Sequence, residues 1–107
     1  MQGGTKGNTA SGNDTSLSRI KGEFSGNGVD NPLADGFGYG TVAMARTSDM
    51  DSATSTFFVT LCDEKTAAAS LDGQYAAFGT IDGDTSGMGM ISDEAQQAKI
   101  SSIVIND

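Results

Sequence analysis

The stretch from Gly40 to Gly79 limits what this 107-residue chain can fold into more than any other. It reads GTVAMARTSDMDSATSTFFVTL, then CDEKTAAAS, then LDGQYAAFG. Gly40 to Ala45 and Thr56 to Leu61 are short apolar runs with β-branched or aromatic residues, so each predicts a strand. Arg46 to Ser55 between them is polar and turn-forming. Phe57 and Phe58 are adjacent, and on a strand their rings point to opposite faces. One ring then enters a core and the other is open to a pocket. On pattern alone, both also read as ordinary core or sheet-packing residues.

Around this stretch the signals are weaker. Asp63 to Ala69 has helical propensity but is too short to persist as an isolated helix. Leu71 to Gln74 predicts a turn, because Asp72-Gly73 favours the left-handed backbone that turns require. Tyr75 to Ile81 predicts another strand. Upstream, Met1 to Leu17 is a polar loop rich in Gly, Ser, Thr and Asn. Its Asn13-Asp14-Thr15 fits a glycosylation pattern, a chance match where no secretory leader precedes it. Arg19 to Phe24 predicts a short strand, and Ser25 to Tyr39 a loop holding the one proline, Pro32. After Ile81 comes a Gly-rich loop; Ser92 to Ala98 predicts one or two helical turns and Ile100 to Ile105 a closing strand. Short strands with glycine-rich connections predict one mainly β domain, of sandwich or barrel type.

Composition then bounds stability and function. Leu, Ile, Val and Phe supply 19 of the 107 residues, and the net charge is −8, so the chain sits at the margin of compositions that fold. A thin core and low stability follow. The acidic balance excludes nucleic acid and anionic membrane surfaces as partners. No apolar run approaches the roughly 18 residues that a membrane span needs. With no histidine, the commonest general base and any His-ligated metal site are gone. The single cysteine, Cys62, permits no internal disulfide, which fits a cytoplasmic setting; it reads as a half-buried small residue after a strand.

The central signature, with Gln2-Gly3-Gly4 before it and Ile20-Lys21-Gly22-Glu23-Phe24 to Asn31-Pro32-Leu33 in the same order and spacing, resembles that of bacterial cyclophilins, the peptidyl-prolyl cis-trans isomerases. The resemblance covers Gln2 to Ile81 and returns faintly at Ile100 to Ile105. It implies a mainly β fold, a cyclophilin-like β-barrel with one short helix. It also implies isomerisation of X-Pro bonds in proline-containing peptides and unfolded protein chains, a role in protein folding without cofactor or metal, and binding of cyclosporin-like ligands. Residue by residue, Gln2 matches the glutamine that hydrogen-bonds the substrate backbone. Ala45 and Arg46 match the segment that pairs with the extended peptide, and Phe58 and Leu71 match walls of the proline pocket, leaving Phe57 for the core. Tyr75 stands where many members have histidine, Thr56 replaces a glutamine of the site, and Ser70 replaces a tryptophan.

The family's catalytic arginine and first strands precede the Gln-Gly-Gly motif, whereas Met1 directly precedes Gln2 here. The 107 residues are therefore expected to form a single, N-terminally truncated domain and an incomplete barrel, with no catalytic residue matched; Arg19 and Arg46 match other positions. Two alternatives to turnover stand beside it: a module that binds proline peptides without isomerising them, and an inactive truncated relative. A separate constellation, Asp82, Asp84, Ser86, Gly87 and Asp93, falls at EF-hand-like spacing. Position 12 is Asp instead of the bidentate Glu, and a strand precedes the loop where a helix belongs. A shortened surface loop is the better reading, with no metal.

Overall fold

The computed structural model describes residues 1–5, 14–82 and 100–105. Four strands form one antiparallel sheet: β1 (Gln2–Gly3), β2 (Thr41–Met44), β3 (Phe57–Val59) and β4 (Ala77–Thr80), in the order β1-β3-β2-β4. Among the described residues, helix α1 (Glu64–Ser70) follows β3, and a 3₁₀ turn spans Ser25–Asn27. The expectation of a mainly β fold with one short helix holds, and the sheet among the described residues is not closed into a barrel. No helix among the described residues is long and apolar enough to cross a membrane.

The strands are shorter than the apolar runs predicted, yet pairing continues past their ends. Ala45 N donates to Thr56 O (2.9 Å), Gly40 N to Thr60 O (2.8 Å) and Ile81 N to Gly40 O (2.8 Å). Thr60 lies buried at this margin; its Oγ1 accepts from Thr41 N (3.0 Å) and donates to Gly38 O, so the strand entry is fixed by a hydroxyl. Between β2 and β4, Val42 faces Gly79 and Ala43 faces Ala77. Phe78 is the extra residue of that bulge, which throws its ring outward to 60% exposure.

Helix α1 persists despite its length because it is capped and docked. Asp63 accepts from Thr66 N at the N-terminus (2.8 Å), and Ala67 is fully buried on the core. The Leu71–Gln74 turn forms as expected, with Gly73 at φ +68°. A Cβ there would lie 2.6 Å from Ser25 Oγ, so glycine is required on both grounds. The core joins Phe24, Ala34, Phe37, Ala43, Ala67 and Ala77, with Leu33, Phe58, Cys62, Leu71, Tyr75 and Ala76 packed against it. Four of the six central residues are alanine, which is the thin core the composition implied.

Two expected strands do not form. Arg19 to Phe24 makes only an isolated bridge, with Ile20 N donating to Ala53 O (2.9 Å). Gly22 is pressed against Met50 O, and Phe24 leaves the line to plug the core, so no ladder can propagate. Ile100 to Ile105 is irregular and exposed, Ile105 to 86%. Three consecutive β-branched residues carry strand propensity, but propensity does not replace a pairing partner. The expected helix over Ser92 to Ala98 lies outside the described residues.

Candidate functional site

The site residues read from the sequence lie on and around the sheet: Phe58 on the interior strand β3, Gln2 on the edge strand β1, and the others just beyond strand or helix ends. Gln2 on β1 is exposed and lies directly opposite Phe58 on β3, which in turn faces Ala43 on β2. Phe58 is half-buried. Its ring stacks on Phe37 (centroids 6.2 Å apart, 10° between planes) and meets Tyr75 edge-on (5.3 Å, 85°). Leu71, at the C-terminal cap of α1, packs half-buried on the same core. Phe58 and Tyr75 thus meet directly, and Leu71, from the end of α1, is packed half-buried against the same core.

Phe57 is not the core ring. It points to the opposite face and covers Gly3 and Gly4, where a Cβ on Gly4 would come within 3.0 Å of its ring. Alternation predicts the opposed faces correctly but not which is apolar. That is decided by Phe37, brought beneath Phe58 by a distant loop.

The polar members of the set are arranged less openly. Ala45 spends its N–H on Thr56 O, inside the sheet. Thr56 is only 2% exposed, so its side chain belongs to the interior. Arg46, just beyond β2, is held firmly: Nε donates to Gln74 O (2.9 Å) and Nη1 to Thr47 O (2.8 Å). Its guanidinium carbon lies 4.9 Å from the Tyr75 ring centroid and 5.3 Å from that of Phe24. Phe24, Phe37 and the Gln74 carbonyl are parts of this arrangement that the sequence reading did not name. The available signal was a lone phenylalanine in each of two otherwise polar, glycine-rich stretches, since an isolated large ring there must bury somewhere.

The loop after Arg46 is built from side chains. Thr47 N donates to Ser52 Oγ (2.9 Å), and Ser52 Oγ donates to Asp49 O (2.6 Å). Asp51 accepts from Gly22 N (2.9 Å) and Asn27 Nδ2 (2.7 Å). The Gly22 amide, then the Asn27 side chain, hold the Asp51 carboxyl below its ordinary range. The Asp51 amide and then Arg19, its ion-pair partner, do the same for Asp49. Beside this loop lies a cleft of about 300 Å³ lined by Thr15, Leu17, Arg19, Thr47, Ser52 and Thr54. Of the EF-hand-like loop only Asp82 lies within the described residues; the rest falls outside them.

Comparison with known proteins shows the family. Residues 1–106 match the family described as "Cyclophilin type peptidyl-prolyl cis-trans isomerase/CLD". A curated relative from Acinetobacter baylyi, named peptidyl-prolyl cis-trans isomerase, is 54% identical over 43 residues. That alignment takes in 39% of this chain and spans 23% of the relative's length. The chain belongs to the cyclophilin-type peptidyl-prolyl cis-trans isomerase family.

Proposed function

We propose that this chain grips X-Pro segments of peptides and unfolded protein chains and isomerises them, in a cytoplasmic, protein-folding setting. The observation that carries this reading is the half-buried Phe58 ring in edge contact with Tyr75, with Leu71 packed on the same core and Gln2 opposite Phe58 across the β1–β3 pair. An X-Pro bond has a small cis–trans energy gap, but its barrier is roughly 18–20 kcal/mol. Lowering that barrier requires no nucleophile, metal or cofactor. It requires an apolar wall for the ring, backbone partners for the preceding residues, and a donor toward the prolyl nitrogen as its lone pair localises. Phe58 and Leu71 supply the wall, Gln2 an exposed amide, and Ala45–Arg46 the flanking backbone. A cyclosporin-like cyclic peptide would compete for the same wall.

A second reading, binding without turnover, is favoured by one observation. The Nε and Nη1 donors of Arg46 are already given to Gln74 O and Thr47 O, which leaves a weakened candidate for the prolyl nitrogen. Exchange spectroscopy on an X-Pro peptide separates the two. Isomerisation predicts faster cis–trans exchange on adding the chain, while binding alone predicts shifted peptide resonances with the exchange rate unchanged.

A further inference from the structure

Arg46 is a fixed cation beside the proposed slot, and with Nε and Nη1 already given to Gln74 O and Thr47 O it is a weakened donor toward the prolyl nitrogen. Two rings and two carbonyls hold its guanidinium, and none of these four partners carries a neutralising charge. Arg46 forms an ion pair with no carboxylate among the described residues, whereas Arg19 pairs with Asp49. In a chain with 14 acidic and 6 basic residues, a cation kept away from carboxylates is out of step with its surroundings. The same Tyr75 ring that supports Arg46 at 4.9 Å meets Phe58 at 5.3 Å, so the charge stands one ring beyond the slot wall. That span corresponds to about three residues of extended peptide or fewer.

Resting on the proline-binding reading above, we propose that Arg46 is a specificity-determining residue, selecting proline peptides with an aspartate or glutamate within about three residues of the proline. The peptide carboxylate would accept from Arg46 Nη2, for which no partner lies among the described residues. Preorganisation favours this, because the rings and carbonyls have already removed the rotamer freedom that an exposed arginine loses on pairing. The net charge of −8 opposes acidic ligands at long range. At physiological salt that field is screened over about 8 Å, while a contact pair is screened far less.

The test is a titration of the full chain with matched X-Pro peptides carrying Glu, Gln or Lys at each of the three positions on either side of the proline. At one or more positions the Glu peptide should bind about three- to fivefold tighter than the Gln peptide, as for a partly exposed ion pair, and the Lys peptide more weakly than both. The Glu-to-Gln ratio, taken within each variant so that overall affinity cancels, should fall to about one in Arg46→Gln, persist in part in Arg46→Lys, and shrink as salt is raised. Should Arg46→Gln fail to fold, the Glu, Gln and Lys series and its salt dependence in the unaltered chain decide the matter. Equal binding of Glu and Gln peptides at every position, or a preference that survives in Arg46→Gln, overturns the assignment. Failure of every peptide to bind overturns the proline-binding reading and the selectivity with it.

Discussion

Replacing Phe37 with alanine is the most demanding test of how the sheet, helix and slot are joined. Phe37 is 2% exposed, and its ring stacks under Phe58. A buried phenylalanine removes about 150–250 Å² from water, worth about 4–6 kcal/mol at 25 cal/mol per Å² as an upper estimate. Alanine retains part of this and leaves a cavity, so the expected loss is about 3–5 kcal/mol. A domain of this length is stable by only about 5–15 kcal/mol, and the alanine-rich core points to the lower part of that range. Phe37→Ala should therefore leave only about 0–2 kcal/mol of stability at room temperature, with a substantial unfolded fraction at the low end. Urea denaturation followed by circular dichroism measures this, with the slope checked for two-state behaviour. A loss below about 1 kcal/mol at unchanged slope would refute the placement of Phe37 at the centre of the core.

Phe58→Ala should weaken binding of a proline peptide more than Phe57→Ala, since Phe58 meets Tyr75 and packs on the core with Leu71 while Phe57 covers Gly3 and Gly4; paired stability and binding measurements check this. Gly73→Ala should cost at least about 1–2 kcal/mol, because the residue sits at φ +68° and a methyl group would strike Ser25 Oγ; urea midpoints report it. The Asp63 carboxyl is held below its ordinary value of 3.8, first by the Thr66 amide and then by the Thr66 hydroxyl. A lowered carboxylate stabilises the fold above pH 3.8 and loses that contribution as pH falls through the lowered value. The stability gap between the unaltered chain and Asp63→Ala should accordingly narrow on acidification, measured by denaturation at a series of pH values.

The sequence made local signals legible and left the long-range ones hidden. β2, β3, β4, the short helix and the Asp72-Gly73 turn all follow from propensity and turn chemistry within a few residues, whereas the Asp63 cap emerges only in the fold. The bulge that ejects Phe78 follows from the register between β2 and β4, which neither strand encodes by itself. Arg19 to Phe24 and Ile100 to Ile105 have strand-like composition but lack a ladder partner, and pairing is a property of two segments. Within the proposed site, Gln2, Phe58, Leu71, Tyr75 and Arg46 were named through family resemblance. Their supports were not: Phe24 and Phe37 reach them from sequence-distant loops, and the Gln74 carbonyl fixes Arg46 through a backbone atom that residue type does not reveal. Thr56 occupies a site position in the motif, yet its small side chain is drawn into the interior.

The most direct measurement of the central claim is the cis–trans exchange rate of an X-Pro peptide in the presence of the 107-residue chain and of its Phe58→Ala variant. With Arg46 Nε and Nη1 already engaged, the strongest donor candidate among the described residues is weakened, and losing one such donor is worth about 2.7–4 kcal/mol by analogy with an oxyanion-hole donor. Exchange should be measurably faster with the chain than without it, at least about a hundredfold below a full-length family member, and back to the spontaneous rate with Phe58→Ala. An unaltered exchange rate with no peptide binding, or acceleration that survives Phe58→Ala, would contradict the placement of the proline slot at Phe58, Leu71 and Tyr75.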